Sequence, residues 1–150
     1  MTQEEKQLLL NDLSARLPYG VFIHYHWSRE GNTIDEDREL DFSDVETLKY
    51  NIENPQNDWC EISWKPYLRP LSSMTEEEKI ELKTITKGAI QTIGLEDIVV
   101  TTDKGFDWLN AHHFDYRGLI EKGLALEKVV LDNGQCESAL KMWNEPLSLK

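Results

Sequence analysis

Apolar residues recur along this chain with two periods, and the periods locate its elements. Leu9, Leu10, Leu13 and Leu17 fall on one stripe at helical spacing, so Thr2 to Leu17 reads as a helix that packs on something. Thr2 and Glu5 make a capping-box pair at its start, and Pro18-Tyr19-Gly20 stops it. From Val21 to Trp27 the period drops to two. Val21, Ile23, Tyr25 and Trp27 share one face of a strand, while Phe22, His24 and His26 share the other. Glu30-Gly31-Asn32 reads as a turn. Thr33 to Phe42 reads as an edge strand whose charge discourages unwanted pairing. Ser43 and Glu46 form a second capping-box pattern, followed by Val45, Leu48 and Ile52 at helical spacing; a strand over Thr47 to Ile52 fits almost as well.

Asn54 to Asp58 is loop-like, and Trp59 to Trp64 reads as a strand with Cys60, Ile62 and Trp64 on one face. Pro66 and Pro70 hold Lys65 to Pro70 extended, as a recognition strand or, more simply, a connector laid over the core. Thr75 to Thr92 is the firmest helix. Ser73/Glu76 and Thr75/Glu78 both fit a capping box, Glu76 to Glu78 suit the helix dipole, and Leu82, Ile85, Ala89 and Ile93 form its stripe up to a Gly94 cap. Short elements follow: a strand at Ile98 to Thr102, a helix at Asp103 to His112, and a helix at Tyr116 to Lys122 capped by Asp115 and stopped by Gly123. The last are a strand at Val129 to Leu131 with a turn at Asp132-Asn133-Gly134, and a helical turn at Glu137 to Trp143. Short strands interspersed with helices predict an α+β fold, a small curled antiparallel sheet with helices on one side. Without repeats or a linker, the chain reads as a single domain over residues 1–150.

Composition sharpens this picture mainly through charge. The 150 residues carry a formal net charge of −12. Between Ser28 and Glu61 stand eleven acids and three bases, a net of −8 in one stretch. No cluster of Lys and Arg offers a footprint for a phosphate backbone, so direct nucleic-acid binding is not expected. Cys60 and Cys136 are too few and too far apart for a disulfide framework or a zinc-ligand pair. The polar start Met1 to Lys6 does not read as a secretory signal, and no apolar run approaches the ~20 residues that span a bilayer. The expectation is a cytoplasmic protein, a monomer or small homo-oligomer, with no membrane partner.

Two stretches, Lys65-Pro-Tyr-Leu-Arg-Pro-Leu-Ser-Ser-Met-Thr-Glu-Glu-Glu78 and Asp107-Trp-Leu-Asn-Ala-His-His-Phe-Asp-Tyr-Arg-Gly-Leu-Ile-Glu-Lys-Gly-Leu-Ala-Leu-Glu127, resemble a family of small uncharacterised proteins. That family belongs to gut bacteria of the Bacteroidales type and their prophages and mobile elements. Leu17-Pro-Tyr-Gly-Val21 is similar too, so the likeness covers about a quarter of the chain. The resemblance implies a phage-related setting and carries no catalytic residue with it. Against it, the acidic segment 28–58 looks like the variable part.

Candidate chemistry is sparse. His112, His113 and Asp115 are ligand types for zinc or iron, but adjacent helical residues point about 100° apart and rarely grip one ion. The plainer reading packs one imidazole near Trp108, ends a helix with the other, and uses Asp115 as a cap. His24 and His26 alternate on one strand face, where a metal or a proton is shareable, with no third ligand close in sequence. Arg117 opposes the dipole of its predicted helix, which points to a salt bridge or a ligand. No Walker loop, G-x-S-x-G, C-x-x-C or G-x-G-x-x-G occurs, so no cofactor is expected, and Cys60 with a distant histidine is too generic to name a nucleophile.

Three functions compete on these terms. The favoured one is a non-catalytic acidic interaction protein that binds a host protein with a basic surface, using Asp35, Glu36, Asp37, Glu39, Asp41, Asp44 and Arg117. The second is a small metal-dependent hydrolase built on His112/His113 or His24/His26. The third is a structural or regulatory homo-oligomer joined through exposed Trp27, Trp59 or Trp64.

Overall fold

The structure is a computed structural model that describes residues 1–56, 59–86 and 103–128. Helix α1 (Gln3–Arg16) starts at the expected capping box: Thr2 Oγ1 accepts the Glu5 N–H at 3.1 Å, and the Glu5 carboxylate accepts the Thr2 N–H at 2.9 Å. A single 3-10 turn, Leu17–Tyr19, follows, and Gly20 reverses the chain at φ 73°, where a side chain is disfavoured. Strands β1 (Phe22–Arg29) and β2 (Asn32–Glu39) then form an antiparallel hairpin. Its two-residue turn places Glu30 at φ 51° and Gly31 at φ 84°, the paired positive values that match the twist of a tight hairpin.

Helix α2 (Phe42–Glu53) settles the helix-or-strand ambiguity and begins earlier than Ser43/Glu46 implies. Its cap is Asp41, which accepts the Ser43 N–H at 2.6 Å, while Asp44 accepts the Asp41 N–H at 3.0 Å. The reason lies outside the helix. Arg38 and the Trp64 indole hold Asp44 in place, so the box closes on Asp41. At Thr75/Glu78 the structure likewise chooses between two candidate boxes, with contacts of 2.9 and 3.1 Å; the Ser73 hydroxyl donates instead to Pro70 O. Helix α3 (Glu76–Thr86) follows, then α4 (Asp103–Ala111).

The largest departure from the sequence reading is β3 (Glu61–Pro70), one continuous ten-residue strand where a strand and a connector were expected. Pro66 sits opposite Ile23 in the ladder, and the prolines keep the segment extended without ending it. The sheet runs β2-β1-β3-β4, with β4 (Phe114–Asp115) and β5 (Leu126–Glu127) both pairing parallel to the end of β3. It is therefore a mixed sheet rather than a wholly antiparallel one, within an α+β fold.

Among the described residues two clusters form the core. The apolar sheet face, with Ile23, Trp64 and Leu68, packs with Leu9 and Leu13 of α1 and Leu48 of α2, and Leu119, Leu124 and Ala125 complete that cluster. Each such leucine contributes on the order of 1.5–3 kcal/mol. Met74, Leu82, Trp108, Leu109 and Phe114 make the second. Trp64 is only 2% exposed, which removes it from any self-association patch.

A buried ionic network joins α1 to the segment after α4. Asp12 and Arg16 are both fully buried; Asp12 accepts Arg16 Nε at 2.8 Å and Arg117 at 3.0 Å, and Arg16 donates to Phe114 O at 2.6 Å. The expected helix at Tyr116 to Lys122 does not form. Asp115 instead accepts the N–H groups of Leu119 and Ile120, both at 2.9 Å, and holds a run of turns. The predicted elements at 87–94, 98–102 and 129–143, with Cys136, lie outside the described residues, as do Asn57 and Asp58. Among the described residues no helix is long and apolar enough to cross a membrane.

Removing one member of a buried ion pair strands the other. Asp12→Ala is expected to cost about 3–5 kcal/mol in urea unfolding. Asp12→Asn, which keeps an acceptor for Arg16, is expected to cost less.

Candidate functional site

The β2-β1-β3 ladder sorts its side chains cleanly. In the register, His24 lies between Asp37 and Lys65, and His26 between Asp35 and Ser63. Facing residues share a side of the sheet, so all of these, with Glu61 and Tyr67, stand opposite the apolar face. They line an open depression of about 540 Å³.

A chain of polar contacts crosses that face. The Tyr67 hydroxyl donates to Asp37 Oδ1 at 2.7 Å, and the same oxygen meets His24 Nδ1 at 2.9 Å. His24 Nε2 lies 3.3 Å from Asp35 Oδ1, which meets His26 Nδ1 at 2.8 Å, and His26 Nε2 stands 3.5 Å from Glu61. Each imidazole thus has a carboxylate at both nitrogens. A neutral ring carries one N–H and satisfies one of them; only the imidazolium donates at both ends. The hydrogen bond from His26, reinforced by its charge and by His24, holds the Asp35 carboxyl below its ordinary range despite slight desolvation. Burial, then the hydrogen bond and charge of Asp37, push the Tyr67 hydroxyl up, so it stays a donor.

The acids predicted as one binding patch are divided by the fold. Asp35 and Asp37 belong to the polar face, whereas Glu36 and Arg38 lie on the other side, joined at 3.1 Å. Asp44 is buried at 4% exposure beneath a two-pronged contact from Arg38 at 2.6 and 2.7 Å, so it presents nothing to a partner. Asp41 is occupied as a helix cap. Glu39 is exposed at the end of β2, opposite Phe22. Arg117 spends its charge on Asp12 and lies over the Tyr116 ring at 4.7 Å. Glu61, Ser63, Lys65 and Tyr67 were missed as site residues, although their period-two spacing runs unbroken through the sequence.

The His112, His113 and Asp115 group does structural work. His112 stacks on Trp108 at 4.0 Å, with its Nδ1 2.9 Å from Trp108 O. His113 ends α4 at φ 63°, and its carbonyl accepts the Arg69 N–H at 2.8 Å. Asp115 is engaged by two backbone N–H groups. Among the described residues no group of three His, Cys, Asp or Glu side chains is placed to hold a metal ion. No protein-family model, curated protein or solved structure matches the chain.

Burial, followed by the charges of Lys128, Arg16, His112 and Arg69, lowers the His113 pKa from 6.5 to about 3. Between those values the unfolded chain binds the extra proton, so this residue's contribution to stability is lost as pH falls from 6.5 toward 3. His113→Asn suits the positive φ and removes the titration. Its urea midpoint is expected to fall less than that of the parent between about pH 7.5 and about pH 5.

Proposed function

We propose that this chain is a non-catalytic acidic interaction protein that binds a basic protein surface through the polar face of its three-stranded ladder. The observation that carries the reading is the grouping of Asp35, Asp37 and Glu61 against one lysine, Lys65, on an open sheet face. Small-molecule sites are typically concave and largely apolar. This depression is shallow and polar, a shape suited to a macromolecular surface. Its unbalanced charge would steer a cationic partner and raise the rate of encounter. We further propose a phage-related setting, from the resemblance read in Lys65–Glu78 and Asp107–Glu127, in which a host protein would be that partner.

The competing readings have less behind them. A metal-dependent hydrolase built on His24/His26 or His112/His113 has no three-ligand group behind it among the described residues. A homo-oligomer joined by tryptophans loses Trp64 to the core and keeps an exposed Trp59, over which Arg29 lies at 4.8 Å.

Affinity capture from host lysate, with proteins identified by mass spectrometry, tests the proposal. Basic proteins retained at low salt and released at high salt are expected, and Asp35→Asn/Asp37→Asn/Glu61→Gln should weaken capture at least about tenfold, or about 1.4 kcal/mol. Capture that persists in the triple variant and at high salt would reject the mechanism.

A further inference from the structure

The outer edge of β2 pairs with no other strand among the described residues. Its hydrogen-bonding direction follows from the register. Leu40 donates to Val21 O at 2.9 Å just beyond the strand, and inward and outward groups alternate along an antiparallel partner. The main-chain groups of Ile34, Glu36 and Arg38 therefore turn toward β1, and those of Thr33, Asp35 and Asp37 turn outward. The outward-turned residues are the ones whose side chains stand on the polar face.

An incoming strand would meet two chemistries at once. Residues hydrogen-bonded to Asp35 and Asp37 would place their side chains beside those carboxylates, which keep 49% and 31% of their surface exposed while contacting His24 and His26. The residue facing Ile34 would lie on the opposite side, against a side chain that is 45% exposed and paired across the ladder with Trp27. A second copy of β2 is a poor occupant. Antiparallel self-pairing centred on Asp35 or Glu36 sets acid against acid, and like charges directly opposed are destabilising. Edge charge protects a sheet from its own copies, and here its sign selects cationic strands.

We infer that β2 docks an extended basic segment of a partner protein by strand addition, antiparallel, with the pattern basic-x-basic-apolar. The two basic residues face Asp37 and Asp35 in that order, and the apolar one faces Ile34. The inference rests on the reading that the polar face binds a basic protein, and it names how that protein is held.

Short synthetic peptides containing Lys-Thr-Lys-Val test it, with binding followed by calorimetry and by amide hydrogen exchange. In the unbound protein the Asp35 and Asp37 amides should exchange quickly and those of Glu36 and Arg38 slowly; peptide should then protect Asp35 and Asp37. N-methylating both lysine amides should weaken binding at least about tenfold, because those amides would point at β2. N-methylating the threonine and valine amides, which would point away, should leave most of the affinity. Equal binding by both methylated peptides overturns strand addition and leaves electrostatic attraction to the face standing. No salt-sensitive binding by any of the peptides overturns both readings. Asp35 and Asp37 amides already protected in the unbound protein, or a dimer growing with concentration, would show the edge otherwise occupied and would sink the inference.

Discussion

The pairing register of β1 with its two neighbours is the constraint on which the rest depends. Side chains alternate strictly along a strand, so shifting the ladder by one residue would send His24 and His26 into the core and Ile23 and Tyr25 into water. That slip would strand charged partners away from solvent and expose the apolar surface that α1 and α2 cover. The turn at Glu30-Gly31 pins one side of the register and the packing of Trp64 pins the other. The concentration of carboxylates around two imidazoles is a consequence of keeping the opposite face dry.

Charge plays three distinct parts in this molecule, and burial decides which. Asp12 with Arg16 sits at depth, Asp44 is buried beneath a half-buried Arg38, and both pairs tie elements together. Their desolvation makes each partner costly to lose and says little about net stability. Glu78 lies between. Desolvation alone would raise its pKa, but the paired contacts from Arg69 and those from Thr75 hold it down to about 2, so it stays ionised while joining the end of β3 to α3. Asp35, Asp37 and Glu61 keep much of their hydration, and their fields reach outward. The proposed binding role draws on this last group, which is a minority of the acids in the −8 segment.

The segment from His112 to Leu124 shows how chemistry-bearing residues can serve packing alone. Two histidines, an aspartate and an arginine stand within six residues of sequence. In space Trp108 stacks on His112, a reversed backbone carries His113, two amides engage Asp115, and Asp12 engages Arg117. The short parallel pairing of Phe114 and Asp115 with β3 holds this segment at the sheet's end, between the two hydrophobic clusters.

Local pattern determined much of the molecule: spacing gave the α1 helix, the sidedness of β1 and the α+β class, the Thr2/Glu5 pair gave the cap, and charge gave the edge position of β2, because each rests on residues close in sequence. It could not decide between helix and strand at Thr47–Ile52, or between Ser43 and Asp41 as a cap, since both turn on Arg38 and Trp64 reaching Asp44 from other elements. It read Lys65–Pro70 as a connector because two prolines outweighed an unbroken alternation; pairing with β1 beyond Trp64 is a nonlocal contact. The acids looked like one patch when counted along the chain. Tertiary structure split them into buried, capping and outward-facing sets, because a strand's period and a helix's period send neighbours in sequence to different sides of the molecule.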